Sequence, residues 1–309
     1  SVLKDDLIVV EFSSDPRTDA YSNMNIPRFD NASILIVGDA MLDRYWHGST
    51  SRVSAEAPIP VVVIDEIEDR PGGAANVALN VASLGAKCSL IAATGVDEMA
   101  EVLKSKLETA GIHCHFLEYP ALPTTTKIRL VSMNQQMIRA DFERKFDVKS
   151  EDLLARVATV AAMADYDSIV LSDYDKGLFS DPAQIIEFAK NHDKPVLVDP
   201  KFRPFSDYRG ATVLKPNNLE LVQAIGSWAS EAEMLLRCRR LMAQIACEAM
   251  LITRASDGMT LIPKDGEEVH FPARTREVYD TSGAGDTVIA VLATALASGQ
   301  TLRDSVALS

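Results

Sequence analysis

Short apolar runs that end in a polar side chain constrain this chain most. They are Ile34-Leu35-Ile36-Val37-Gly38-Asp39, Ser168 to Asp173, Pro195 to Asp199, Val213 to Asn217 and Ala249 to Arg254. Runs of that length without polar alternation are buried on both faces, which is the pattern of strands inside a parallel sheet. Between them the period becomes helical: Glu151 to Ala164, Pro182 to Asn191, a helix starting near Leu219, and Glu231 to Cys247. Strands alternating with helices predict an α/β fold with a central, mostly parallel sheet and helices on both faces. Ligands in such sheets sit beyond the strands' carboxyl ends, where Asp39, Asp173, Asp199, Asn217 and Arg254 all fall.

A chain of 309 residues with 47% hydrophobic content supports a sizeable core. Its net charge of −13 argues against nucleic acid or an anionic membrane as the main partner. Cys88, Cys114, Cys238 and Cys247 have no zinc-like spacing and read as buried thiols of a reducing compartment. In His113-Cys114-His115 both histidines fall on one strand face, but no further Cys/His cluster accompanies them, which argues against a metal there. No signal peptide is expected at the chain's start, and its apolar runs fall short of the roughly 20 residues that span a bilayer. The expectation is a soluble, cytoplasmic protein.

Residues 1–30 are polar and rich in breakers, and read as an N-terminal arm ahead of a domain over 31–309. Into that domain two strand-rich segments, about 44–66 and 113–143, read as insertions forming a small β-sheet lid. The first contains the strand Pro60 to Asp65. The second contains His113 to Glu118 and a hairpin, Thr124 to Val131 and Gln135 to Phe142, with its tip near Met133-Asn134. The hairpin's charges either coat a solvated face or recognise a polyol and a phosphate. Ser89 to Gly95 reads as a strand and Glu98 to Ala110 as a helix stopped by Gly111, while Met259 to Pro263 and Glu268 to Pro272 read as a second hairpin.

Late in the chain, Asp280-Thr281-Ser282-Gly283-Ala284-Gly285-Asp286 leads into an apolar helix from Thr287 to Ser298. Glycines at a helix start leave backbone N–H groups unobstructed, and the helix dipole adds positive charge there. Such a turn is an anion site with a carboxylate, Asp286, at its rim, an arrangement suited to phosphoryl transfer to a hydroxyl. The plainer reading is a helix start with Asp as a cap. Gly72-Gly73-Ala74-Ala75-Asn76-Val77-Ala78 opens another helix, and its small residues admit either a ligand or a tightly packed neighbour. The P-loop pattern Gly-x-x-x-x-Gly-Lys-[Ser/Thr] is absent, the dinucleotide fingerprint lacks its third small residue, and protein-kinase and Gly-x-Ser-x-Gly signals are missing.

Together these stretches resemble one family. Asp280 to Asp286 looks like the second signature of the ribokinase (PfkB) carbohydrate kinases, Gly72 to Ala78 like their first, and Asn217-Asn218-Leu219-Glu220 like their Asn-x-x-Glu element. Gly38 to Trp46, Thr50 to Pro60, Thr124 to Arg129, Asn134 to Gln136 and Arg139 to Glu143 are similar to the D-glycero-D-manno-heptose 7-phosphate kinases. Members of that group occur alone or fused to a nucleotidyltransferase, and nothing here resembles the second domain. Asp199-Pro200-Lys201 resembles the family's Asp-Pro-Lys segment but continues differently.

The resemblance implies a ribokinase-like fold, ATP and Mg2+, phosphorylation of heptose 7-phosphate at its anomeric hydroxyl, and a homodimer paired through the lid sheet. It implies Asp286 as the base, with the backbone of Gly283, Ala284 and Gly285 as anion donors. For the nucleotide it implies Lys215, Asn217, Glu220, Thr253, Gly258, Thr281, Gly283 and Gly285, with Asn217 and Glu220 reaching magnesium largely through water and phosphate. For the sugar it implies Asp39, Asp43, Gly72, Gly73, Asn76, Asp173 and Asp286. Lys176 and Arg139, with Lys127 or Arg129, are the candidates for the sugar's own phosphate, because a dianion needs cations in an otherwise acidic protein. A different sugar, or a sensor without turnover, are the competing expectations.

Overall fold

Ile34 and Ile36 of the first strand, β1 (Ser33–Gly38), face one hydrophobic core, while Leu35 and Val37 face another; all four are fully buried. That split follows from the two-residue period of a strand and requires cover on both sheet faces. The computed structural model describes residues 27–133, 135–201, 203–273 and 283–309. The arm expected over 1–30 therefore lies, up to residue 26, outside the described residues, as do Asn134 at the hairpin tip and Thr281.

Beyond β1, the chain forms β2 (Ala40–Val53), β3 (Pro60–Gly73), α1 (Ala74–Ser83), β4 (Lys87–Thr94), α2 (Glu98–Thr109) and β5 (His113–Glu118). The hairpin β6 (Thr126–Ser132) and β7 (Gln135–Phe142) follows, then α3 (Ser150–Ala161), β8 (Ser168–Ser172), α4 (Pro182–Lys190), β9 (Val196–Asp199) and β10 (Val213–Leu214). The last part holds α5 (Asn218–Ile225), α6 (Glu231–Ile245), β11 (Ala249–Thr253), β12 (Met259–Pro263), β13 (Val269–Phe271), α7 (Ala284–Ala297) and α8 (Leu302–Leu308).

Among the described residues, nine strands form one sheet in the order β13-β12-β11-β10-β9-β8-β1-β4-β5. Pairing is parallel from β11 through β5, and β12 and β13 join antiparallel. Buried residues of α3, α4 and α6, such as Val157, Ile185 and Cys238, cover one face. Those of α1, α2, α7 and α8, such as Val77, Leu103, Ile289 and Val306, cover the other. The sheet ends thus bring the turn after β8, the start of α1 and the start of α7 to one edge.

A second sheet has the order β3-β2-β6-β7. It corrects the expected insertion over 113–143: His113–Glu118 pairs with Lys87–Thr94 and forms the edge of the large sheet. The small sheet also reaches beyond 44–66, because β2 starts at Ala40 and β3 runs to Gly73, paired throughout. Its two faces differ. Arg70, Asp43, Lys127 and Asp141 lie in one row across the strands, and Glu68, Tyr45, Arg129 and Arg139 in the next row on that face. Ile67, Trp46, Leu130 and Ile138 form a row on the opposite face.

Candidate active site

Helix α7 begins with Gly283 as N-cap at φ 83°, a left-handed conformation that favours glycine. A Cβ there would also lie 2.7 Å from the Asn76 Nδ2. The first intrahelical bond runs from Thr287 N to Gly283 O, so the amides before it point out of the helix end. In the first turn Asp286 turns inward and is 4% exposed. Its Oδ2 accepts from Asn76 Nδ2 at 2.8 Å and its Oδ1 accepts from the Tyr174 hydroxyl at 2.7 Å. Burial raises the Asp286 pKa above the ordinary carboxylate range; the bonds from Asn76 and Tyr174 and the Lys215 charge oppose the rise, and the Asp199 charge adds to it. A carboxylate with a raised pKa at a helix N-terminus can serve as a general base beside an anion site.

Asn76 comes from the first turn of α1, and Asn80 donates to its carbonyl at 2.9 Å. Ahead of that helix Gly73 holds φ 58°, and a Cβ would sit 2.5 Å from the Asp39 carbonyl oxygen. Side-chain-free backbone is what lets α1 start against β1, and the Ala74 N–H donates to that same carbonyl. Gly72 lies against Asp43, whose Oδ2 would be 2.5 Å from an added Cβ.

Asp39, expected to bind sugar hydroxyls, is 3% exposed and already occupied. Its Oδ2 accepts from the backbone N–H of Tyr174 and Lys176, and its Oδ1 from Leu178. Burial outweighs these donors and pushes its pKa up to about 6. Asp173 is likewise turned inward: it accepts from Tyr208 and the Asp175 N–H and pairs with Arg203. Both carboxylates build the turn after β8 rather than face Asp286.

Asp199 and Lys215 form a buried pair at 2.9 Å behind α7, each 1% exposed along the side chain. The Lys215 Nζ would lie 3.2 Å from a Cβ on Gly285, which puts this cation beside the glycine turn. Lys201 joins Asp199 at 3.1 Å and Glu220 at 2.9 Å. Burial alone would depress its pKa, but those two carboxylates outweigh it and push it up to about 12. The second oxygen of Asp199, Oδ2, is buried without a protein partner. Asn217 and Glu220 make a capping box for α5, each side chain accepting from the other's backbone N–H. Of the carboxylate oxygens of Asp199 and Glu220 only the Asp199 Oδ2 lacks a protein partner, so a magnesium ion here would be held chiefly by phosphate oxygens and water. Thr253 pairs with Asn217 at the sheet end, and Gly258 closes the next turn by donating to the Ala255 carbonyl.

The four cations expected to meet the sugar's phosphate come from three elements. Lys127 and Arg139 meet at Asp141, and Lys127 and Lys176 meet at Glu143. Arg129 binds Asp43 at 2.6 Å and lies over the Tyr45 ring. These four cations are thus all paired, with Asp43, Asp141 and Glu143 as their carboxylate partners.

Two residues in contact with this site escaped motif reading. Tyr174 follows Asp173 at the end of β8, and its signal was the polar run Asp173 to Lys176 after a buried strand. Lys201 sits in the Asp-Pro-Lys segment, which the resemblance marked without a role. His113 and His115 fall on the large sheet's edge strand, and no metal-ligating cluster occurs among the described residues.

The fold is ribokinase-like. A ribokinase from Arabidopsis thaliana, solved with ribose and ATP, superposes with a TM-score of 0.70 over 89% of each chain at 19% identity. A phosphofructokinase-2 variant from Escherichia coli superposes at 0.73 over 89% of this chain and 90% of its own, at 16% identity. The chain belongs to the pfkB family of carbohydrate kinases, whose model matches residues 31–309. It is 48% identical to the bifunctional protein HldE of Hahella chejuensis over 287 residues and to that of Stutzerimonas stutzeri over 286. Each match covers 93% of this chain and 60% of the relative, so the chain spans about 60% of their length.

Proposed function

We propose that this chain transfers the γ-phosphoryl group of ATP to the anomeric hydroxyl of D-glycero-D-manno-heptose 7-phosphate. The product, heptose 1,7-bisphosphate, would feed ADP-heptose and lipopolysaccharide core synthesis in a bacterial cytoplasm. The observation that carries the reading is a buried carboxylate, Asp286, at the start of α7, on a fold whose small sheet gathers Lys127, Arg129 and Arg139 toward Lys176. A sugar that already bears a phosphate needs such cations; an uncharged sugar does not.

Asp286 takes the proton of the anomeric hydroxyl as that oxygen bonds to the γ-phosphorus. The bond from phosphorus to the bridging oxygen breaks, and ADP leaves with its electrons. The amides of Gly283, Ala284 and Gly285 hold the charge on the transferring group, and Lys215 adds a fixed positive charge nearby. Asp43 and Asn76 orient sugar hydroxyls, and Lys127, Arg139 and Lys176 exchange their carboxylate partners for the sugar's phosphate. Magnesium, when bound, neutralises charge between the phosphates; Asn217, Glu220 and Asp199 would hold it. The small sheet excludes water that would hydrolyse ATP. Its opposite face, where Ile67 is 57%, Ile138 61% and Phe142 54% exposed, supports a homodimer formed there. No helix among the described residues is long and apolar enough to cross a membrane.

ADP release with Mg-ATP, measured against heptose 7-phosphate, fructose 6-phosphate, ribose and no sugar, tests the substrate. Turnover confined to the heptose phosphate is expected. Preference for another sugar would overturn the substrate assignment, and ATP binding without turnover on any sugar would favour a sensor.

A further inference from the structure

Tyr174 lies outside every motif that carries the family resemblance, yet it touches both halves of the site. We propose that Tyr174 is a positioning residue whose hydroxyl acts only as a donor, fixing the Asp286 carboxylate in the orientation from which it takes the sugar's proton. The proposal rests on Asp286 being the base.

The Tyr174 hydroxyl donates to Oδ1 at 2.7 Å and the Asn76 amide to Oδ2 at 2.8 Å. Held at both oxygens, the carboxylate cannot rotate freely, and one lone-pair direction on each oxygen remains for the acceptor hydroxyl. Both donors trace back to Asp39. The Asp39 Oδ2 accepts the Tyr174 N–H at 2.9 Å, and the Asp39 carbonyl accepts the Ala74 N–H at 3.0 Å, where α1 begins and carries Asn76. The ring is fixed as well: a Cβ on Gly73 would lie 3.5 Å from its Cδ2, and the Lys201 Nζ stands 5.3 Å from its centroid.

A phenol in this place keeps its proton. Burial first, and then the charges of Asp286, Asp199 and Glu220, raise its pKa far above the ordinary tyrosine value. In the transfer step, the acceptor O–H bond breaks and an Asp286 O–H bond forms, while Tyr174 retains its own proton throughout. The groups that set the Asp286 charge state are Tyr174 and Asn76, which favour ionisation, Lys215, which also favours it, and Asp199, which opposes it. Removing the Tyr174 hydroxyl leaves burial less opposed, so the carboxyl protonates at higher pH. A tyrosine that only filled space would tolerate phenylalanine without such a shift.

The test is kcat against pH at saturating Mg-ATP and heptose 7-phosphate for the wild type, Tyr174→Phe and Asp286→Asn. The Phe variant is expected to lose about 10- to 100-fold in kcat at neutral pH, the scale of lost outer-shell orientation of a working group. Its acidic limb is expected to move up by about one pH unit, while KM for ATP stays near wild type. Burial also pushes the Asp39 pKa up, to about 6, but the Phe variant keeps the backbone N–H that binds Asp39, so that contribution is common to both enzymes. A second variant carries 3-fluorotyrosine at 174, which preserves the shape and strengthens the donor; its acidic limb should move down. An unmoved limb in both variants, with Asp286→Asn inactive, would overturn the role of Tyr174 and leave the base intact. Substantial activity in Asp286→Asn would instead overturn the base reading on which the proposal rests.

Discussion

At the scale of single residues, the site is organised by what each carboxylate is already doing. Asp286 has capacity left to accept a proton; Asp39 and Asp173 are consumed by the turn after β8. Asp39 is expected to titrate with a midpoint of about 6, because burial in the folded state outweighs three backbone donors. Its carboxyl carbon resonance followed by NMR checks this, and a midpoint near the ordinary value of about 4 would contradict it. The sign matters for stability: the folded pKa lies above the unfolded one, so Asp39 favours folding most below pH ~4, and that contribution is lost as pH rises through about 6. Lys176, paired to Glu143 at 2.6 Å, belongs to the proposed phosphate cluster. Lys176→Ala should raise KM for heptose 7-phosphate by about tenfold, the loss of one charge-assisted contact, with KM for ATP unchanged. Polar residues at strand ends could be found from sequence, but which of them point inward could not. Inward orientation depends on partners far along the chain, as with Tyr208 for Asp173 and Leu178 for Asp39.

At the scale of elements, two glycine-led helix starts meet through the Asn76–Asp286 bond. Gly73→Ala puts a methyl 2.5 Å from the Asp39 carbonyl at φ 58°, so β1 and α1 must separate. A loss of about 1–3 kcal/mol is expected in urea denaturation, together with lower kcat, because α1 carries Asn76. The strands and helices themselves were readable, since buried runs and helical periods are local properties. The placement of His113–Glu118 was not. Its half-buried pattern suits either a lid or the edge of a parallel sheet, and pairing with Lys87–Thr94 decided for the edge. The hairpin Thr126–Ser132 and Gln135–Phe142 was legible because its strands are adjacent in sequence and need no distant partner to be recognised.

At the scale of the whole molecule, the small sheet separates charge from apolar surface across its thickness. One face holds Asp43, Lys127, Arg129, Arg139 and Asp141; the other holds Trp46, Leu130, Ile138 and Phe142. A second copy of the chain is the proposed cover for the apolar face. Ile138→Glu, at a position 61% exposed, should convert a dimer to a monomer in sedimentation, and an unchanged dimer would move the interface elsewhere. In the proposed mechanism this assembly activates one hydroxyl through Asp286. The most direct test is single-turnover transfer from Mg-ATP to heptose 7-phosphate by the wild type and by Asp286→Asn, with both proteins saturated. Loss of a general base predicts a rate lower by about 10²–10⁴-fold in the variant, with ATP binding intact. Transfer within a few fold of wild type would rule out Asp286 as the base.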